Sequence, residues 1–77
     1  MITLTESSAN KLGKRATEFA EANAVLYDRN ANALLPTEKA SDAVSRTLTR
    51  VYGSPETIDR GEVAYWRIPR DECDEID

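Results

Sequence analysis

The 77 residues contain no histidine, and their one cysteine, Cys73, stands between Asp71-Glu72 and Asp74-Glu75. The commonest general base and the commonest metal ligand are therefore missing. Ser–His and Cys–His nucleophile pairs cannot be assembled. A thiolate flanked by carboxylates is disfavoured, so Cys73 is expected to have little special reactivity. A zinc site needs several Cys or His ligands, and the chain has too few. Gly13, Gly53 and Gly61 are too scattered for a phosphate-cradling loop. The terminal acids lack the glycine and the spacing of a calcium loop. These residue types predict a non-enzymatic chain with no cofactor and no metal.

What remains for chemistry is charge. The formal net charge is −4, from ten basic and fourteen acidic residues. It is unevenly spread. Residues 1–70 hold all ten cations and nine of the acids, a balance of +1, while Asp71, Glu72, Asp74, Glu75 and Asp77 give the last seven residues −5. Acidic termini of this kind are commonly solvated and often meet a partner. Within 37–52, Lys39, Arg46 and Arg50 fall within about 40° of one another on a helix at 100° per residue. They form a basic stripe opposite Val44 and Leu48. Arg46 and Arg50 are a like-charge i,i+4 pair, which costs an isolated helix ~0.2–0.5 kcal/mol. Such a stripe suits phosphates or an acidic protein face. It suits equally a solvated face with Arg46 paired to Asp42.

The elements that must position these groups follow from periodicity. Residues 6–23 read as an amphipathic helix with Ala9, Leu12, Ala16, Phe19, Ala20 and Asn23 on one stripe. Lys11, Lys14, Arg15, Glu18 and Glu21 lie opposite. Thr3 with Glu6 fits a capping box, and Thr5 is an equal candidate for the cap. Gly13 weakens the interior by ~1 kcal/mol relative to Ala. Residues 37–52 read as a second long helix, capped by Thr37 and closed by Gly53 and Pro55. Residues 56–68 read as a β-hairpin turning through Asp59-Arg60-Gly61. Its returning strand places Val63, Tyr65 and Arg67 on one face and Ala64, Trp66 and Ile68 on the other. Trp66 is assigned to the core, and Tyr65 with Arg67 to an outward face that suits a homodimer or a protein partner. Residues 24–35 admit two readings: a short helix capped by Asp28 and stopped by Pro36, or a second strand pair turning through Arg29-Asn30-Ala31-Asn32. The fold class is α+β, with two long amphipathic helices packed on a C-terminal β-hairpin. Residues 1–70 form a single small domain and 71–77 an acidic tail. No apolar run approaches the ~18–20 residues that span a bilayer. No signal-peptide pattern opens the chain, and one cysteine suits a reducing compartment. A cytoplasmic protein with no membrane partner is expected.

With a helix at 24–35, the order of elements is similar to that of winged helix-turn-helix regulators. Ser41-Asp42-Ala43-Val44-Ser45-Arg46-Thr47-Leu48 resembles their recognition helix, and Glu62-Val63-Ala64-Tyr65-Trp66-Arg67-Ile68 the returning strand of a wing. That resemblance implies transcription regulation through duplex DNA. Ser41, Ser45, Arg46 and Thr49 would face the groove, Lys39 and Arg50 would sit on the basic stripe, and Arg60 would meet phosphate at the wing tip. With strands at 24–35, the order β, α, β, β, α resembles the DNA-binding half of the Phd/YefM antitoxins. In size and composition the chain also resembles anti-CRISPR proteins and other small phage-encoded inhibitors. That likeness implies a protein interface built from Tyr65, Arg67, Asp71, Glu72, Asp74, Glu75 and Asp77.

Overall fold

A computed structural model describes residues 2–26, 33–57 and 61–75. Strand β1 (Ile2–Leu4) leads into helix α1 (Glu6–Leu12), and Thr5 is the cap: its hydroxyl accepts the Ser8 N–H. The single helix predicted over 6–23 is two. Gly13 adopts φ +82°, closing α1 through its N–H to the Ala9 carbonyl. Its own carbonyl then accepts the Thr17 N–H and opens helix α2 (Lys14–Asn23). A positive φ is accessible to glycine without the Cβ clash other residues meet, so the residue read as a weakness within one helix is the joint between two.

At 24–35 the strand pair is what forms. Strand β2 (Val25–Leu26) pairs antiparallel with β3 (Ala33–Pro36). The local helical preference of Ala and Leu loses to tertiary pairing, because β3 is hydrogen-bonded on both edges and its first three residues are buried. Helix α3 (Asp42–Tyr52) starts five residues later than predicted. Thr37 does not cap it: its N–H donates to the Ala64 carbonyl in the sheet and its carbonyl accepts the Ala40 N–H in a turn before the helix. Ser41 caps it instead, accepting the Val44 N–H at 3.3 Å, and Gly53 closes it at φ +90°.

The hairpin forms with β4 (Glu56–Thr57) against β5 (Ala64–Ile68). Strand β5 also pairs with β3 over Ala33↔Ile68, Leu34↔Arg67, Leu35↔Trp66 and Pro36↔Tyr65, giving one antiparallel sheet in the order β2-β3-β5-β4. The helices cover one face. There Trp66 (2% exposed), Leu35 and Ile68 join Leu12, Ala16, Ala20, Val44 and Leu48 in the core. The Trp66 Nε1–H donates to Thr49 Oγ1 at 3.1 Å, which satisfies the indole inside the protein.

The acidic segment is folded as far as Glu75. A 3₁₀ turn (Arg70–Glu72) leads to β6 (Cys73–Glu75), which pairs with β1 through Leu4↔Cys73, Thr3↔Asp74 and Ile2↔Glu75. Cys73 is buried in the core rather than carried on a solvated tail, and its thiol donates to the Pro69 and Arg70 carbonyls. Glu21, read as part of a solvated helix face, is half-buried and accepts the Leu4 N–H at 2.9 Å. The fold is α+β, and no helix among the described residues is long and apolar enough to cross a membrane.

Two measurements check this architecture. Thr49→Val leaves the indole N–H buried without its acceptor and should lower stability by about 1–3 kcal/mol, read as a lower urea midpoint at unchanged slope. Deleting 73–77 removes the β1 partner and the buried Cys73, and should cost roughly 2–3 kcal/mol. A solvated tail would leave the midpoint where it was.

Candidate functional site

Helix α3 lies on the covered face of the sheet, so its outer side faces away from it. Arg46 and Arg50 are exposed there, one turn apart. Asp42 is also exposed, yet the pairing of Arg46 with Asp42 that the sequence allows does not form; the ion pair among the described residues is Lys11 Nζ to Glu72 Oε1 at 3.3 Å. Lys39 is exposed but sits in the turn before α3, because the helix begins after Ser41. The stripe calculated on one continuous helix is therefore an Arg46–Arg50 pair with Lys39 off the helix end.

The neutral residues assigned to this face divide. Ser41 is spent as the cap, and Ser45 is half-buried. Thr49 faces inward and holds Trp66, so its assignment to a DNA-facing surface is corrected. Its 100° steps from Arg46 and Arg50 do not reveal this, because the indole that claims it belongs to a strand not adjacent in sequence. Arg60 lies outside the described residues.

The second surface is the sheet face that the helices leave open. Tyr65 is half-buried and Arg67 exposed on it, as the alternation predicts. Pairing adds what alternation cannot: Leu34 and Pro36 from β3, and Glu56 from β4, share that face. Leu34 is 3% exposed although it stands apart from the core cluster. Val25, opposite Leu34, is 49% exposed. A groove of about 280 Å³ is lined by Leu34, Tyr65, Arg67, Glu56, Pro69, Tyr52 and Ser54. Of these, the sequence singled out Tyr65 and Arg67; the rest become neighbours only through the β3–β5–β4 register. Among the acids, Asp71 is exposed and Glu72 half-buried against Lys11. Asp74 and Glu75 contribute backbone to β6, and Asp77 lies outside the described residues.

Where α1, α3 and β6 meet, the hydroxyls of Ser8 and Tyr52 are buried without a hydrogen-bond partner among the described residues. Burial pushes the Tyr52 phenol above its ordinary value of 10.0, and the neighbouring Glu72 and Cys73 add to the rise. Ser8 is close enough to oppose it, but the two hydroxyls do not meet in hydrogen-bond geometry. No group of three or more Cys, Asp or Glu among the described residues is arranged to hold a metal. Comparison with known families, curated proteins and solved structures returned no match.

Tyr52→Phe removes one orphaned hydroxyl and should raise stability by about 1 kcal/mol. A phenol whose folded pKa lies above its unfolded one contributes stability that is full below pH 10.0 and is lost as pH rises through the folded value. The variant should lack that alkaline loss, as unfolding curves recorded across the alkaline range will show.

Proposed function

We propose that this chain is a non-enzymatic regulatory domain that binds duplex DNA through the outer face of α3. The observation that carries the reading is Arg46 and Arg50, exposed one turn apart and without an ion-pair partner among the described residues. Two unneutralised guanidinium groups at this spacing repel each other, and a phosphate backbone relieves that repulsion. Support also comes from the order of elements. Strand β1, helices α1 and α2, strands β2 and β3, then α3 give the order β, α, α, β, β, α, which matches the β, α, β, β, α order resembling the DNA-binding half of the Phd/YefM antitoxins when α1 and α2 count as one helical segment. The winged-helix arrangement is not carried forward, since strands stand where its second helix would be. The five acids among the last seven residues disfavour indiscriminate contact with nucleic acid.

A second reading, a small inhibitor or accessory protein that docks on another protein, is favoured by the open sheet face with Tyr65 and Arg67. One salt titration of the intact chain on labelled duplex separates the two. Under the DNA reading, affinity falls with salt, and Arg46→Ala and Arg50→Ala each reduce the log–log slope by about 1. Tyr65→Ala leaves that slope unchanged. No duplex binding at low salt, or slopes indifferent to both arginines, overturns the DNA reading.

A further inference from the structure

Residues 70–75 run past a place where the core leaves polar groups unsatisfied. Ser8 on α1 and Tyr52, the last residue of α3, each bury a hydroxyl there without a hydrogen-bond partner among the described residues. Ser8 is fully buried, and Glu72 and Cys73 lie close enough to the Tyr52 phenol to act on its charge. A polar group buried in this way has lost its water and gained no bond in exchange. Any opening that lets water back reverses that loss, so the arrangement favours release of the segment against Tyr52.

That segment is held along one edge. Strand β6 pairs with β1 in a sheet of two strands, from Ile2↔Glu75 to Leu4↔Cys73, and the Thr5 N–H donates to the Glu72 carbonyl at 3.1 Å. Ribbons of two strands are marginal in water. The Lys11–Glu72 ion pair adds little, because Lys11 is exposed. Burial of Cys73, 3% exposed, opposes release. The main sheet is held differently: β3 is bonded on both edges, and β5 is tied to α3 through Trp66 and Thr49. Pro69 stands between the two regions, after the end of β5, with no N–H to tie it to a neighbouring strand.

We infer that residues 70–75 form a strap that opens by local unfolding, hinged at Pro69, while the four-stranded sheet and α3 stay folded. Opening wets the Tyr52 hydroxyl, uncovers the Cys73 thiol and takes Asp74 and Glu75 off β1. The chain then has two folded states, one with its acidic end bound to β1 and one with that end released. Segments that open below the global unfolding free energy are the ones from which conformational switches are drawn.

The test is native-state amide hydrogen exchange of the full chain, followed residue by residue by NMR. The reporter is the Thr5 amide, whose acceptor is the Glu72 carbonyl in the strap. The reference is the slowest-exchanging set of amides in β3 and β5. Thr5 should be protected at least about tenfold less than the reference. Tyr52→Phe removes a hydroxyl that opening wets, so it should raise Thr5 protection about fivefold. The reference should rise by the same factor, because global unfolding wets Tyr52 too. Thr5 protected as strongly as the reference overturns the inference, since the strap then opens only with the whole molecule. Thr5 protection unchanged in the phenylalanine variant also overturns it, whether or not the reference moves, because the opening that Thr5 reports then leaves Tyr52 as it was. None of these outcomes depends on whether α3 binds DNA.

Discussion

The pairing of β3 with β5 is the contact on which the rest of the molecule depends. Its register puts Leu35 beside Trp66 on one face and Leu34 beside Arg67 on the other. Burying Trp66 supplies the largest side chain of the core, and it obliges the structure to find an acceptor for the indole N–H. Thr49 is that acceptor, so the rotation of α3 about its own axis is set by a strand. With Thr49, Val44 and Leu48 turned inward, Arg46 and Arg50 have only the solvent side left. A slip of one residue in this register would exchange the two faces and expose the tryptophan.

The termini supply a second constraint. Strands β1 and β6 form a two-stranded sheet of their own, apart from the main one. Such a ribbon is marginal alone. Here Ile2, Leu4 and Cys73 are part of the common core, and the outer edge of β1 is tied to Glu21 through the Leu4 N–H. The exposed Lys11–Glu72 bridge adds at most about 1 kcal/mol. Burial and backbone pairing therefore hold residues 73–75 against β1. The −4 of the whole chain thus sums +1 over residues 1–70 and −5 over residues 71–77.

Those constraints give the protein two surfaces on opposite sides of its layers. The outer side of α3 presents Arg46 and Arg50 to solvent. The open sheet face is mixed, with aromatic, apolar and oppositely charged groups around a groove. Because α3 and β5 share the Trp66–Thr49 contact, an event on the sheet face and one on α3 act on elements in direct contact.

Local chemistry alone determined a good part of this. Apolar spacing marked α2 and the body of α3, Gly53 marked where α3 ends, and alternation put Trp66 inside and Tyr65 with Arg67 outside. Each of these depends on neighbours within a few residues. Only the tertiary structure decided the joint at Gly13, the late start of α3, the strands at 24–35 and the folding of 73–75. Thr37 is drawn from a helix cap into the sheet by Ala64, Ala33–Pro36 become a strand because Tyr65–Ile68 lie alongside, and Cys73 is buried because Leu4 is there to pair with it. In every such case the deciding hydrogen bond or contact comes from a residue far along the chain, which no local pattern can report.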